Sequence, residues 1–333
     1  SDYKAKIIDK KIYVDYKFVH DSLNSRFYWD ANENVLLYTT ASDIISAAAD
    51  SNSYSVTKQT NDFGYPIVKA TSDSALIALD YVKQYSNITF KSYDDPARSV
   101  ITSKWDEIDS ATVSKSTQVR VKGGIKSPIL KEVKKDDKIT ILDSGDNWDK
   151  VATEDGVIGY IKRKALSESK KTKLTNPDYE EETFTHIKKD KDICLAWNQV
   201  TSQSANSKVP QVISSTKGIN VMSPTWFYLN DNNGNLADIA SKDYVSYCHS
   251  QGIEVWGLFS NFENTDVDAA YVLTHTSTRT TLINQIMSAA FNYELDGVNI
   301  DFENITEAAY GDSYIEFIRE LSIKCHNNGI SLS

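Results

Sequence analysis

Residues 296–303 have the sequence Asp-Gly-Val-Asn-Ile-Asp-Phe-Glu, an apolar run that carries three acids and one amide. Such groups are costly to bury, so a run of this kind is typical of a segment that puts them to use. In a β-strand successive side chains lie on opposite faces, about 6.6 Å apart along each face. One face of this strand is then apolar and the other polar: Val298, Ile300 and Phe302 against Asn299, Asp301 and Glu303. The alternation predicts an active-site strand.

Four segments of the C-terminal half share one form, a glycine suited to ending a helix followed by an apolar-alternating strand: 218–221, 252–255, 297–300 and 329–332. With residues 193–197 as a first strand, this makes five strands separated by enough chain for crossover helices. Strands that alternate with helices predict a parallel α/β sheet. No glycine-rich phosphate loop follows the first strand, which disfavours a dinucleotide fold and favours a (β/α)8 TIM barrel.

The predicted barrel is incomplete. A (β/α)8 barrel takes about 250 residues, whereas residues 189–333 hold five strands and stop inside the fifth. Half a barrel has open sheet edges and an uncovered apolar face. We therefore expect about the first half of a TIM barrel, truncated and inactive alone, with the remaining strands in a longer product or in another chain.

Residues 1–110 predict a small α+β spacer domain with a faint internal duplication, in which each copy is a short helix followed by a hairpin. The helices are residues 16–19 and 79–82, and the hairpins are 27–30 with 35–38 and 90–94 with 100–101. This pattern resembles the stalk-like repeat at the N-terminus of copper amine oxidases. The alternative is a generic α+β spacer with much the same role.

Residues 112–167 predict a small all-β domain. Residues 119–121 and 139–142 alternate as strands, a turn leads to Trp148, and Asp155-Gly156 is a strong hairpin signal before residues 157–161. The segment resembles bacterial SH3-like domains, which implies a small barrel that docks on cell-wall peptidoglycan or acts only as a spacer. Residues 168–188 are predicted to be a linker. The chain as a whole is therefore predicted to be multidomain.

Composition excludes several classes of partner. The net charge of −10 argues against nucleic acid, and no apolar run approaches the ~18 residues of a membrane span. The three cysteines and five histidines have no ligand spacing, so they predict neither a disulfide framework nor a metal site. We expect no metal and no cofactor.

The stretch from Asp296 to Glu303 resembles the signature of glycoside hydrolase family 18, D-x-x-D-x-D-x-E on the fourth barrel strand, which is also its place in the strand count above. Asn299 stands where chitinases usually carry the middle aspartate, and Phe302 replaces the usual tryptophan. This form is similar to the branch of spore-cortex and cell-wall N-acetylglucosaminidases. The resemblance implies a secreted or envelope-associated enzyme of a Gram-positive-type bacterium, acting on peptidoglycan or another polysaccharide that contains N-acetylglucosamine.

The same resemblance implies roles for the residues of the motif. Glu303 protonates the leaving glycosidic oxygen and then activates water, while the nucleophile is the substrate's own 2-acetamido oxygen. Asp301 holds the acetamido N–H. Asp296, at the entry of the strand, is expected to be structural and to bond backbone or Asn299. The implied reaction is hydrolysis of β-1,4 bonds with retention.

Candidate substrate contacts are aromatic and amide side chains close to the C-terminal ends of the strands. They are Trp197 at the end of strand one, Trp226 and Tyr228 after strand two, and Asn261 after strand three. The alternative for each is packing at the barrel rim. Trp256 lies within a strand and is predicted to belong to the core.

Two other classes of function stay open. A non-catalytic cell-wall-binding protein on a chitinase-like barrel would be expected to lose the acid, but Glu303 is present. A purely structural role would make the alternation and strand-four position of Asp301 and Glu303 a coincidence. The sequence does not distinguish peptidoglycan from chitin, or endo from exo action.

Overall fold

The computed structural model describes residues 5–95 and 97–333, and none of the helices in that part of the chain is long and apolar enough to span a membrane. The helices are α1 (Tyr16–Phe18), continued by a π-helical turn (Val19–Leu23), α2 (Leu79–Gln84), α3 (Val209–Ser214), α4 (Lys242–Ser250), α5 (Ala269–Thr274), α6 (Thr276–Asn292) and α7 (Glu307–Asn327). The strands of the N-terminal part are β1 (Ala5–Ile8), β2 (Lys11–Asp15), β3 (Phe27–Asp30), β4 (Val35–Thr39), β5 (Ile44–Ala48), β6 (Ser53–Val56), β7 (Gln59–Asp62), β8 (Val68–Ala70), β9 (Ala75–Ala78), β10 (Thr89–Asp94) and β11 (Ala97–Thr102). They are followed by β12 (Glu107–Thr112), β13 (Thr117–Arg120), β14 (Ile129–Val133), β15 (Lys138–Asp143), β16 (Trp148–Thr153), β17 (Ile158–Lys162), β18 (Lys170–Lys173), β19 (Leu195–Asn198), β20 (Val221–Leu229), β21 (Leu236–Asp238), β22 (Glu254–Ser260), β23 (Gly297–Asp301) and β24 (Ser331–Leu332).

The chain forms two compact units, each made of two segments. The first unit contains Ser1–Val14 and Leu79–Glu181, and the second contains Asp15–Ala78 and Glu182–Ser333. Residues 1–110, predicted as one spacer domain, are thus shared between the two units. The predicted domain boundaries stay a prediction.

The first unit contains a seven-stranded antiparallel sheet in the order β14-β13-β17-β16-β15-β12-β18. The strands predicted within residues 112–167 are present in it. β16 and β17 form the predicted hairpin, and Gly156 in its turn has φ +82°, which glycine adopts without a steric penalty. The core of the sheet is aliphatic: Val113, Val119, Val133, Ile139, Val151 and Ile161. The SH3-like family assignment stays a prediction.

The predicted linker, residues 168–188, contains a strand. Lys170–Lys173 forms β18, which pairs with β12 at the edge of the seven-stranded sheet. A Lys-Lys-Thr-Lys run has no apolar alternation that would reveal it, and lysine is common on exposed edges because its charge opposes further pairing. These four residues are therefore part of the sheet rather than an irregular connector.

Both predicted helix–hairpin copies are present. α1 with its π-helical continuation precedes the antiparallel hairpin β3–β4, and α2 precedes the antiparallel hairpin β10–β11. Each helix also follows a hairpin along the chain, β1–β2 in one copy and β8–β9 in the other. The duplicated pattern is therefore confirmed, whereas its assignment to the stalk-like family stays a prediction.

The second unit is built on a parallel sheet in the order β19-β20-β22-β23-β24, with β21 antiparallel to β20. These are the five strands predicted from the sequence, and strands adjacent in the sheet are successive along the chain. α3, α4, α5 with α6, and α7 lie in the connections. In a (β/α)8 barrel, too, each strand lies beside the strand that follows it along the chain. A barrel that closes stays a prediction.

One face of the parallel sheet packs in the core of the second unit. Val298 is fully buried, and Ile300 and Phe302 pack partly buried against the same core. On neighbouring strands Phe227 stacks on Phe259 with 4.5 Å between ring centroids. The predicted apolar face of residues 296–303 is confirmed, so the polar side chains of β23 lie on the opposite face.

A five-stranded antiparallel sheet, β3 to β7 in chain order, belongs to the same unit. Asp30 at the end of β3 is 1% exposed and accepts the N–H and hydroxyl of Thr276, the first residue of α6, at 2.7 and 2.6 Å. The side chain of His275, which precedes α6, makes no capping bond. Asp30 therefore supplies the helix cap from elsewhere in the chain.

Arg279 of α6 is fully buried and completes this packing. Its Nε donates to Glu320 of α7 at 2.8 Å, and its Nη1 donates to the Leu273 carbonyl at 2.7 Å. The guanidinium lies 5.0 Å from the ring centroid of Tyr28, whose hydroxyl is 2.9 Å from that of Ser313. A buried charge is tolerated only with such a set of partners. Residues 15–78 thus pack against α6 and α7 through Asp30 and Tyr28.

Candidate active site

The polar face of β23 reaches the carboxyl end of the sheet at Asp301, the last residue of the strand. Asp301 pairs in register with Ser260 of β22, and Ser260 pairs with Tyr228 of β20. Residues paired in a parallel sheet project from the same face of neighbouring strands about 4.8 Å apart. The three side chains therefore form one row, with Ser260 buried and the two flanking it partly exposed.

Asn299 lies on the same face, one step further into the sheet. Its Oδ1 accepts the indole N–H of Trp197 at 3.1 Å and the hydroxyl of Ser223 at 3.5 Å. Its Nδ2 donates to the hydroxyl of Ser333 at 2.8 Å. These partners lie on β19, on β20 and directly after β24. One neutral amide thus links strands across the polar face of the sheet.

Glu303 lies two residues beyond the end of β23 and is exposed. The side-chain amide of Asn261 bonds its backbone twice: the N–H of Glu303 donates to Oδ1 at 2.8 Å, and Nδ2 donates to the carbonyl at 3.1 Å. The next residue, Asn304, has φ +59°, and its carbonyl accepts the Tyr310 hydroxyl at 3.1 Å. The chain therefore turns directly after Glu303.

Trp226, predicted as a sugar contact, is fully buried. Its indole N–H donates to Asn206 Oδ1 at 2.8 Å, and its ring packs edge-on against Tyr244 of α4 at 4.9 Å between centroids. The prediction is wrong because β20 continues to Leu229, with a register shift beside the tryptophan, instead of ending before it. Trp226 is a core residue.

The other predicted contacts lie at the carboxyl end of the sheet. Trp197 is 69% exposed, with its ring tied to Asn299, and is placed to act as a platform. Tyr228 is part of the row, although it lies within β20 instead of after it. Asn261 follows β22, and its amide is engaged by the backbone of Glu303. Trp256, predicted as core, is 4% exposed.

Asp296 lies at the opposite end of β23. Its Oδ2 accepts the backbone N–H of Val255 at 2.8 Å and lies 2.8 Å from His249 Nε2. It therefore bonds backbone, one of the two predicted alternatives, and not Asn299. Its position supports the amino end of the sheet, away from the row that contains Asp301.

Three further side chains near the row were missed by the sequence analysis. Glu263 accepts the hydroxyl of Ser260 at 2.5 Å. Phe262, beside Asn261, is 42% exposed. The ring of Tyr314 stacks against Phe302 with 6.4 Å between centroids, and burial and, to a smaller extent, the Asp301 carboxylate raise the pKa of its hydroxyl. A loop and a helix bring these groups to the site, so the only signal in the sequence is an acid or aromatic residue shortly after a strand.

This arrangement can carry proton transfer at a glycosidic bond. Glu303 is an exposed acid and Asp301 a second carboxylate on the polar face, and a pair of carboxyl groups is the usual equipment of glycosidases. The exposed ring of Trp197 on the same face suits stacking on a sugar. Within residues 5–95 and 97–333, no group of three or more His, Cys, Asp or Glu side chains is placed to hold a metal ion.

Comparisons with known proteins give partial structural likeness only. No protein-family model and no curated protein matches the chain. The chitinase from Chromobacterium violaceum ATCC 12472 matches with a TM-score of 0.35 and 18% identity over 42% of this chain and 44% of that chain. The spore cortex-lytic enzyme SleL from Bacillus megaterium QM B1551 matches with a TM-score of 0.35 and 18% identity over 41% of this chain and 33% of that chain. SleL from Bacillus cereus matches with a TM-score of 0.36 and 17% identity over 48% of this chain and 38% of that chain. The match spans less than half the length of each of these structures.

Proposed function

We propose that this chain carries the acid-bearing strand of a secreted glycosidase that cleaves β-1,4 bonds in a polymer containing N-acetylglucosamine, either peptidoglycan or spore cortex. One observation carries the proposal: Asp301 ends the polar face of the fourth parallel strand, in a sheet whose strands follow chain order, and Glu303 follows two residues later. This is the edge at which (β/α)8 enzymes place their catalytic groups. The family 18 form of the motif supplies the substrate class.

The proposed mechanism assigns one proton path and one orienting contact. Glu303 gives its proton to the leaving oxygen as the glycosidic C–O bond breaks, and the substrate's acetamido oxygen closes on the anomeric carbon. The Glu303 carboxylate then takes a proton from water, whose oxygen opens the cyclic intermediate with retention. Asp301 accepts the acetamido N–H, which turns the carbonyl oxygen toward the anomeric carbon and offsets the developing positive charge.

The proposal gives the remaining parts of the chain supporting roles. Trp197 and Tyr228 flank the polar face and are proposed to contact the glycan. Residues 112–167 are proposed to hold the enzyme on cell-wall peptidoglycan, in an envelope of the Gram-positive type. The proposal for these residues rests on the order of their strands and on a sheet core of their own.

The first prediction concerns the acid. We expect Glu303→Gln to lower the release of reducing sugar at least about 100-fold, because an amide has no acidic proton to transfer. The measurement uses purified peptidoglycan and β-1,4-linked N-acetylglucosamine oligomers, with the 333-residue chain and any longer product of the same reading frame. Glu294→Gln, an exposed acid before β23, is the matched control and should keep full activity.

Full activity in Glu303→Gln would contradict the assignment of the acid. Absence of turnover by every form of the unsubstituted protein would contradict the enzymatic proposal itself. Binding of the glycan without turnover would instead support the non-catalytic wall-binding alternative.

A further inference from the structure

We infer that Asn261 is a positioning residue for Glu303. The backbones of β22 and β23 are no longer paired at Glu303, and the side-chain amide of Asn261 bonds the Glu303 backbone there as a peptide group would. These bonds fix the position of the acid. The geometric part stands by itself, and only the catalytic consequence rests on the proposed function. The role differs from the predicted sugar contact, because both polar atoms of the amide bond the protein backbone.

The register of the sheet shows what the amide replaces. Ser260 and Asp301 form the last backbone pair between β22 and β23. A primary amide presents a carbonyl acceptor and an N–H donor, as a peptide group does. Asn261 uses one of each, at 2.8 and 3.1 Å, on the N–H and the carbonyl of a single residue. The pairing between the two strands is in effect continued as far as Glu303 by a side chain.

Glu303 needs such a restraint because it lies outside the strand. Fixing the backbone of one residue costs conformational entropy, and hydrogen bonds to that backbone oppose the cost. Two bonds from Asn261 therefore offset the cost, and loss of either leaves a large part of it uncompensated. The next residue, Asn304, has the left-handed φ of +59°, which is not the backbone conformation of a strand.

The amide is itself held by the centre of the sheet. Asn261 directly follows Ser260, which is fully buried and donates its hydroxyl to Glu263 at 2.5 Å. β22 lies between two parallel neighbours, β20 and β23. The position of Glu303 is thus determined by the buried strand β22 through the Asn261 side chain, and not by the end of β23.

The test begins with hydrogen exchange at the Glu303 amide, measured by NMR in the 333-residue chain. We expect Asn261→Ala to accelerate this exchange about tenfold, which is equivalent to about 1.4 kcal/mol, because the Glu303 N–H loses its acceptor. Asn261→Asp keeps an acceptor for the N–H and should stay within a few-fold of the unsubstituted protein. Asn264→Ala is the matched control, since Asn264 lies in the same loop but donates to the Asn230 carbonyl at 2.8 Å.

Equal exchange at Glu303 in Asn261→Ala and Asn264→Ala would overturn the inference. If Asn261→Ala does not fold, the comparison is made with Asn261→Asp at the Glu303 amide and carbonyl resonances, where unchanged chemical shifts would overturn it equally. This arm of the test requires no catalysis, so a failure of the proposed function leaves its result valid.

The second arm separates positioning from sugar contact. In a form that hydrolyses the glycan, Asn261→Ala should lower kcat about 100-fold, the effect expected of a misplaced catalytic group, with KM within about twofold of the unsubstituted value. Asn261→Asp should recover part of kcat. An increase in KM with kcat retained would show a sugar contact and overturn the positioning role.

Discussion

At the level of single residues, Glu316 of α7 has an environment poorly suited to a charge. It is fully buried, and its Oε1 has no hydrogen-bond partner among the described residues. Burial and the neighbouring Glu320 raise its pKa to about 7, against the opposing effect of Arg319 and Arg279. The Glu316 charge also makes a small contribution to the raised pKa of Tyr28, which burial dominates.

A prediction about pH follows from this carboxyl group. Because its folded pKa is raised above the ordinary 4.5, the unfolded chain ionises first as pH rises, and the protein loses stability between pH about 4.5 and about 7. A tenfold difference in proton affinity between the folded and unfolded chain is equivalent to about 1.36 kcal/mol. Glu316→Gln should therefore match the unsubstituted protein at pH 4 and exceed its stability at pH 8 by at least about 1 kcal/mol in urea unfolding. An equal difference in stability at both pH values would contradict the raised pKa.

At the scale of the element, α6 shows how a helix of this chain depends on a distant segment. Its first N–H group is capped by Asp30, 246 residues earlier in the chain. A capping residue is normally sought directly before the helix, where His275 provides no such bond. The sequence analysis predicted a crossover helix in this connection, and Leu282, Ile283 and Ile286 lie on its buried face. Its cap was not predictable, because capping by a side chain from another element leaves no local signal.

The matching prediction concerns Asp30→Ala. It removes a buried cap and leaves the N–H and hydroxyl of Thr276 without their acceptor, so we expect a loss of about 2–3 kcal/mol in the free energy of unfolding. Glu33→Ala is the control, because Glu33 bonds the next residue, Ser277, from a more exposed position and should cost less than about 1 kcal/mol. Equal losses in the free energy of unfolding of Asp30→Ala and Glu33→Ala would show that the buried cap contributes no more than the exposed bond.

At the scale of the whole molecule, the described structure changes the role given to residues 15–78. The sequence suggested a spacer, whereas these residues form a sheet within the same compact unit as the parallel strands and cover α6 and α7. The packing of α6 and α7 therefore depends on residues 15–78, whereas the core of the parallel sheet is formed by residues between 196 and 332. The seven-stranded sheet of the first unit likewise has a core of its own.

The prediction at this scale compares two fragments. Residues 182–333 alone should melt without a cooperative transition, because α6 loses its cap and Arg279 its cover. Residues 105–175, which hold the whole seven-stranded sheet, should melt cooperatively. Circular dichroism against temperature gives both results. A transition of 182–333 as sharp and as high as that of the 333-residue chain would show that residues 15–78 are dispensable.

Features that depend on local period and turn chemistry could be read directly from the amino-acid pattern. The five parallel strands, the apolar and polar faces of residues 296–303, the Asp155-Gly156 hairpin and the two helix–hairpin copies could all be predicted, because each leaves its pattern within a few neighbouring residues. Only the tertiary structure decided that Trp226 is core, that Lys170–Lys173 is a strand, and that Asn261 bonds the backbone of Glu303. The physical reason is shared by all three: burial, edge pairing and side-chain-to-backbone bonds are made between segments far apart in the chain, and no local pattern records them.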